Sequence, residues 1–137
     1  MPRVDLPPNV QEHFFDFHWD RQRLWDEAGL VPTDILPLSD LLWALDLPIW
    51  PRFEGQKIYD LAPSEFLREP GKYPIHMERV LKSDPSCPVI LLPNRTNRLT
   101  VIDGYHRLVK CRLENILKVQ VKRLARGVIP KIQVERL

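Results

Sequence analysis

The sequence predicts an α/β (α+β) fold, a small mixed sheet with helices around it. Three observations carry this. Val89 to Leu92 is a continuous apolar run with the length of a buried strand. Leu117–Leu124 alternates Leu117, Val119 and Val121 against Lys118, Gln120 and Lys122, the period of a half-covered strand. Between them, Leu99-Thr100-Val101-Ile102 stops at Asp103-Gly104, and the spacing turns helical. Leu108, Val109, Leu113 and Ile116 share one side, while Arg107, Lys110 and Glu114 fall away from it.

The earlier elements follow in order. Residues 1–18 are aromatic and proline-rich and predict no regular structure. Trp19 to Gly29 reads as a short helix with Leu24, Trp25 and Ala28 packing and Gly29 as its stop. Val31 to Leu38 is extended and broken by proline. Ser39-Asp40 opens a helix from Leu41 to Leu45, ended by Pro48. Lys57–Leu61 is a short strand expected in the sheet, and Pro63–Arg68 a helix started by proline. Ile75–Lys82 is a helix with Ile75 and Val80 inward and His76, Glu78, Arg79 and Lys82 outward. Asn94–Asn97 links Val89–Leu92 to Arg98–Ile102 as a hairpin. Arg126–Leu137 is expected to be a mobile or edge tail.

Composition sets the class. Across 137 residues, 44% are hydrophobic and 28% charged, as in soluble globular proteins. Fourteen prolines keep helices short. Two cysteines make no disulfide framework and suit a reducing cytoplasm, the expected location. No apolar run reaches spanning length and the first residues do not form a signal peptide, so no membrane association is expected. All four tryptophans lie in the first fifty residues, as a lid packed on the core or as a partner surface, with packing preferred. His13, Asp16, His18 and Asp20 have no common metal-site spacing, and packing or surface roles are preferred for them. From Arg107 onward the charge is +7, against −5 for residues 1–106. A basic end suits phosphate or nucleic acid, although a solvated outer face explains it as well.

The turn at Asp103-Gly104 is where chemistry is legible. Gly104 lets a ligand approach the backbone. The first amides of the following helix, at Tyr105, His106 and Arg107, lack carbonyl partners within the helix and lie at its positive end. Arg107 adds a planar fork that matches phosphate, and His106 a donor that titrates near neutrality. The residues alone leave two readings open, a phosphate site and a plain helix capped by Asp103.

The run VIDGYHRLVK, with CPVILLPN before it and LENILKVQVKRL after it, resembles the ParB/sulfiredoxin-like superfamily. There, strands, a G-x-x-R-type turn and a helix form a nucleotide-binding core. ParB carries a GERR-type turn and binds a cytidine nucleotide; sulfiredoxin carries G-C-H-R and binds ATP. The archaeal free serine kinases carry D-G-H-H-R, which Asp103, Gly104, His106 and Arg107 match. The resemblance covers about residues 58–124 and is strongest over 88–122. The chain accordingly reads as an N-terminal helical arm over 1–56, packed on a core over 57–124, with a tail over 125–137.

The resemblance implies phosphate binding at Gly104, Tyr105, His106 and Arg107, and Mg²⁺ bound with ATP or another nucleoside triphosphate. It gives Asp103 an active-site role, either capping the helix or holding Mg²⁺ through water. Pro63-Ser64-Glu65 loosely matches the context of the kinases' other carboxylate, making Glu65 the candidate base. His76 and Arg79, three apart on one helix, are candidates to reach the phosphate from across the cleft. Sulfiredoxin chemistry is disfavoured, because Tyr105 stands where its cysteine would be; Cys111 reads as a small buried residue. Two functions remain open. One is a nucleotide-dependent phosphotransferase or triphosphatase acting with an undetermined small-molecule acceptor. The other is a non-catalytic ParB-like binding module. Nucleic-acid association is less favoured, since no helix-turn-helix pattern follows residue 124. A nuclease is disfavoured by the scarcity of acids in the last third.

Overall fold

The computed structural model describes residues 8–53, 55 and 59–134. In chain order the elements are α1 (Pro8–Gln11), β1 (His18–Trp19), α2 (Arg21–Ala28), β2 (Asp34–Pro37), β3 (Trp50–Pro51), β4 (Tyr59–Leu61), α3 (Pro63–Arg68) and α4 (Pro74–Lys82). They continue with β5 (Val89–Pro93), β6 (Leu99–Asp103), α5 (Tyr105–Leu113), β7 (Lys118–Arg123), α6 (Ile129–Ile132) and β8 (Gln133–Val134).

The mixed α and β architecture expected from the sequence is present. Its main sheet has four strands in the order β2-β7-β5-β6. β5 runs parallel to β7 and antiparallel to β6, and β2 runs antiparallel to β7. The unbroken apolar character of Val89–Leu92 has a direct cause: β5 is covered on both faces. Val89 and Leu91 pack with Phe66, Val80 and Leu108 on the side of α3, α4 and α5. Ile90 and Leu92 pack with Leu24 and Ala28 of α2 and Ile132 of α6 on the other. Val89, Ile90, Leu91 and Leu92 are all buried, each contributing roughly 1.5–3 kcal/mol.

Two strand assignments need correction. Lys57–Leu61 does not join the main sheet. Its described part, Tyr59–Leu61, pairs with Trp50–Pro51 as a separate two-stranded sheet, where Leu61 and Trp50 enter the first cluster. Lys57, Ile58 and the expected seam at 56/57 lie outside the described residues. The fourth strand is instead Asp34–Pro37. As an edge strand it tolerates Pro37, which made the segment look broken in the sequence.

The expected helix Leu41–Leu45 is two turns of 3-10 helix, Leu38–Asp40 and Leu42–Asp46. Leu38, Leu41, Ala44 and Leu47 are buried at every third position, the spacing that a 3-10 helix stacks on one side. The C-terminal segment is not a mobile tail over its described part. Ile132 is fully buried, Asp20 N–H donates to its carbonyl, and β8 pairs with β1. The packing of the tryptophans is as expected: Trp50 is buried and Trp19, Trp25 and Trp43 are half-buried. Among the described residues, no helix is long and apolar enough to cross a membrane.

Candidate functional site

Asp103 ends β6 and α5 begins at Tyr105, so the motif forms a strand, a one-residue turn and a helix rather than a hairpin. Gly104 makes the turn at φ 112°, a left-handed conformation that side chains resist. It also sits close against β5. A Cβ here would lie 3.2 Å from Val89 Cα and 2.9 Å from an Arg107 guanidinium nitrogen.

The register between β5 and β6 slips just before the turn, Ile90 facing Asp103 and Leu91 facing Val101. Ile102 is the extra residue of this bulge. Simple alternation would aim Asp103 to the same side as Val101. The bulge instead gives it the side of Ile90, facing α2. There Trp25 Nε1–H donates to Asp103 Oδ2 at 2.8 Å. Arg107 and Arg21 approach the same oxygen at 3.6 and 3.8 Å. Asp103 therefore does not cap α5, whose first turn has no side-chain cap. Nor do its surroundings suit a metal ligand. An indole N–H and two guanidinium groups compete with any cation for the carboxylate, and among the described residues no group of three potential ligands converges. The expected Mg²⁺ role of Asp103 does not fit.

Arg107 is held in place. It donates to the Pro88 carbonyl at 2.8 Å, pairs with Asp103 and lies over the Trp25 ring at 5.1 Å. His76, expected on the outer face of α4, is 2% exposed. The helix turns it inward because its ring has both an aromatic partner and a polar one. It stacks on Trp50 at 4.4 Å, and its Nε2 lies 2.6 Å from the Pro51 carbonyl. His106 stacks on Trp50 at the same distance, and the two imidazole centroids are 5.5 Å apart. Rings on opposite faces of the indole would be separated by about twice the stacking distance, so both occupy one face. His76 Nδ1 and His106 Nε2 are 3.3 Å apart. Burial, with His76, Arg79 and Arg107 nearby, pushes His106 down to about 3. Burial, with Arg79 nearby, lowers His76 as well.

Asp103, His106, Arg107, Trp50 and Arg79 border a cavity of about 650 Å³. The lining cations are Arg21, Arg79, Lys82 and Arg107, and Asp103 is the one carboxylate among the described lining residues. Phe14, Phe15, Trp19, Trp50, Tyr59 and Tyr105 supply aromatic walls. Gly104, Tyr105, His106, Arg107, Asp103 and Arg79 line this cavity together, while His76 is not among its lining residues and contacts His106. Glu65 is not among them. It pairs with Arg52 at 3.0 Å in a separate polar depression of about 380 Å³ formed with Arg68 and Lys72. Its expected role as base does not fit this placement.

Sequence reasoning missed Trp50, Trp25 and Arg21. Each comes from the arm, and no local spacing links them to the turn. Four cations of the basic C-terminal part are engaged locally. Lys110, Lys122 and Arg126 donate to backbone carbonyls, and Arg123 pairs with Asp34. Cys111 is buried, and burial raises its thiol above the ordinary range. Comparison of the chain with protein-family models, with curated proteins and with solved structures finds no match.

Proposed function

We propose that the protein is a ParB/sulfiredoxin-like domain that binds a nucleotide in this cavity, phosphates toward the first turn of α5. The observation that carries the reading is one cavity joining an uncapped nine-residue helix start to four cationic side chains and a largely aromatic wall. Helix-start amides and guanidinium groups recognise phosphate, and aromatic faces recognise a planar base. The cavity has the size of an ordinary small-ligand site.

Binding without turnover is the better-supported form. Phosphoryl transfer to a hydroxyl acceptor needs a group that takes its proton. Glu65 is remote, Asp103 is engaged by Trp25, Arg21 and Arg107, and burial with nearby cations lowers His106 and makes it a weak base. Mg²⁺ would enter with a triphosphate as the counter-ion of its phosphate chain. Arg79, Lys82 and Arg107 would neutralise what charge remains. The test is a thermal-shift and calorimetric screen with ATP, CTP, GTP and UTP, with and without Mg²⁺, followed by a phosphate-release assay. Saturable binding without release is expected. Absence of binding for all four contradicts the reading, and turnover returns it to the kinase or triphosphatase form.

A further inference from the structure

The imidazole pair on Trp50 has a consequence for whatever anion enters the cavity. A backbone carbonyl only accepts, so the 2.6 Å contact with the Pro51 carbonyl requires a proton on His76 Nε2. In the neutral ring, Nδ1 of His76 is then an acceptor. Its 3.3 Å contact requires His106 to donate through Nε2. A neutral His106 is left with a bare lone pair on Nδ1, for which no hydrogen-bond partner is found among the described residues. A fully ionised phosphate offers only lone pairs, so the two repel unless a proton lies between them.

The charged and titratable groups around His106 are His76 and Arg79 from α4 and Arg107 from α5. Lys82 of α4, Asp103 of β6, Tyr59 of β4, Arg21 of α2 and His13 line the same cavity. Burial, helped by the surplus of cations, keeps His106 neutral while the cavity holds no anion. A bound anion offsets that surplus.

We propose that phosphate enters this cavity together with one proton, shared between His106 Nδ1 and a phosphate oxygen, and that His76 is the positioning residue that fixes this tautomer. This rests on the nucleotide reading above. The proton comes from solvent, and no covalent bond changes. Affinity therefore falls as pH rises, by up to tenfold per unit over the range in which the complex holds this proton and the free partners do not, and levels off once the complex loses it.

The test has two arms. Calorimetry with ATP, CTP, GTP and UTP at pH 7, in buffers of different ionisation enthalpy, counts protons taken up. Wild type should exceed His106→Asn, whose amide donates without titrating, by up to one proton; this difference removes the ligand's own protonation. Imidazole ¹⁵N spectra of the free wild-type protein should show His106 protonated at Nε2 and bare at Nδ1. His76→Gln, which can still donate and accept, should keep that tautomer, and His76→Leu should lose it. Binding with equal proton uptake in wild type and His106→Asn, or a free protein carrying the His106 proton on Nδ1, overturns the inference and leaves the nucleotide reading standing. No binding of any of the four triphosphates overturns both.

Discussion

Trp25 and Asp103, 78 positions apart in sequence, are joined by a 2.8 Å hydrogen bond from the indole N–H to the carboxylate. It ties α2 to the end of β6, next to the turn that starts α5. Trp25→Phe keeps a ring beneath Arg107 but removes the donor together with part of the indole's packing surface. A half-buried hydrogen bond to a charged group gives an expected loss of about 1–2 kcal/mol. Urea denaturation at pH 7 measures it, and an unchanged midpoint would show that the bond does not hold the arm.

Gly104 is required by the fold before it is required by any ligand. Its φ of 112° and the close approach of Val89 Cα mean that even a methyl group is resisted. Gly104→Ala should destabilise by about 2 kcal/mol or more, through backbone strain and displacement of the Arg107 guanidinium. Thermal denaturation alongside ligand titration checks this. A variant with wild-type stability would mean that the turn relaxes freely.

The buried His76 and the half-buried His106 make stability depend on pH. His106 is lowered from 6.5 to about 3, and His76 is lowered too, so the unfolded chain binds more protons in the window between. Stability is then fully present above about pH 6.5 and is lost progressively as pH falls toward 3. Unfolding free energies between pH 7.5 and 5.5, above the range where carboxylates titrate, should decline for wild type. The decline should be shallower in His106→Asn. Equal slopes would sink the assignment.

How much of this was legible in the sequence follows from where each signal resides. β5 and β6 announce themselves as continuous buried runs, and α5 and β7 by periodic burial. β2 did not, because an edge strand needs no apolar run and accepts Pro37. The inward turn of His76 was hidden as well. A histidine satisfied by Trp50 and Pro51 looks in sequence like one on a solvated face. The turn residues of the site were readable as a contiguous motif. The Ile102 bulge that swings Asp103 toward Trp25 was not, since it depends on the register of a strand pair.

The central claim is that phosphate sits where Arg79, Arg107 and the start of α5 converge. Arg107 is a poor probe by itself, because it also holds Pro88 and Asp103. Arg79 is exposed and makes no hydrogen bond or ion pair found among the described residues, so its removal should leave the fold intact. The most direct measurement is calorimetric titration of wild type and Arg79→Ala with ATP, CTP, GTP and UTP. At least one triphosphate should bind wild type, and Arg79→Ala should bind it about 1.5–3 kcal/mol more weakly at unchanged thermal stability. Wild-type affinity in Arg79→Ala, or no heat with any of the four, would contradict the claim.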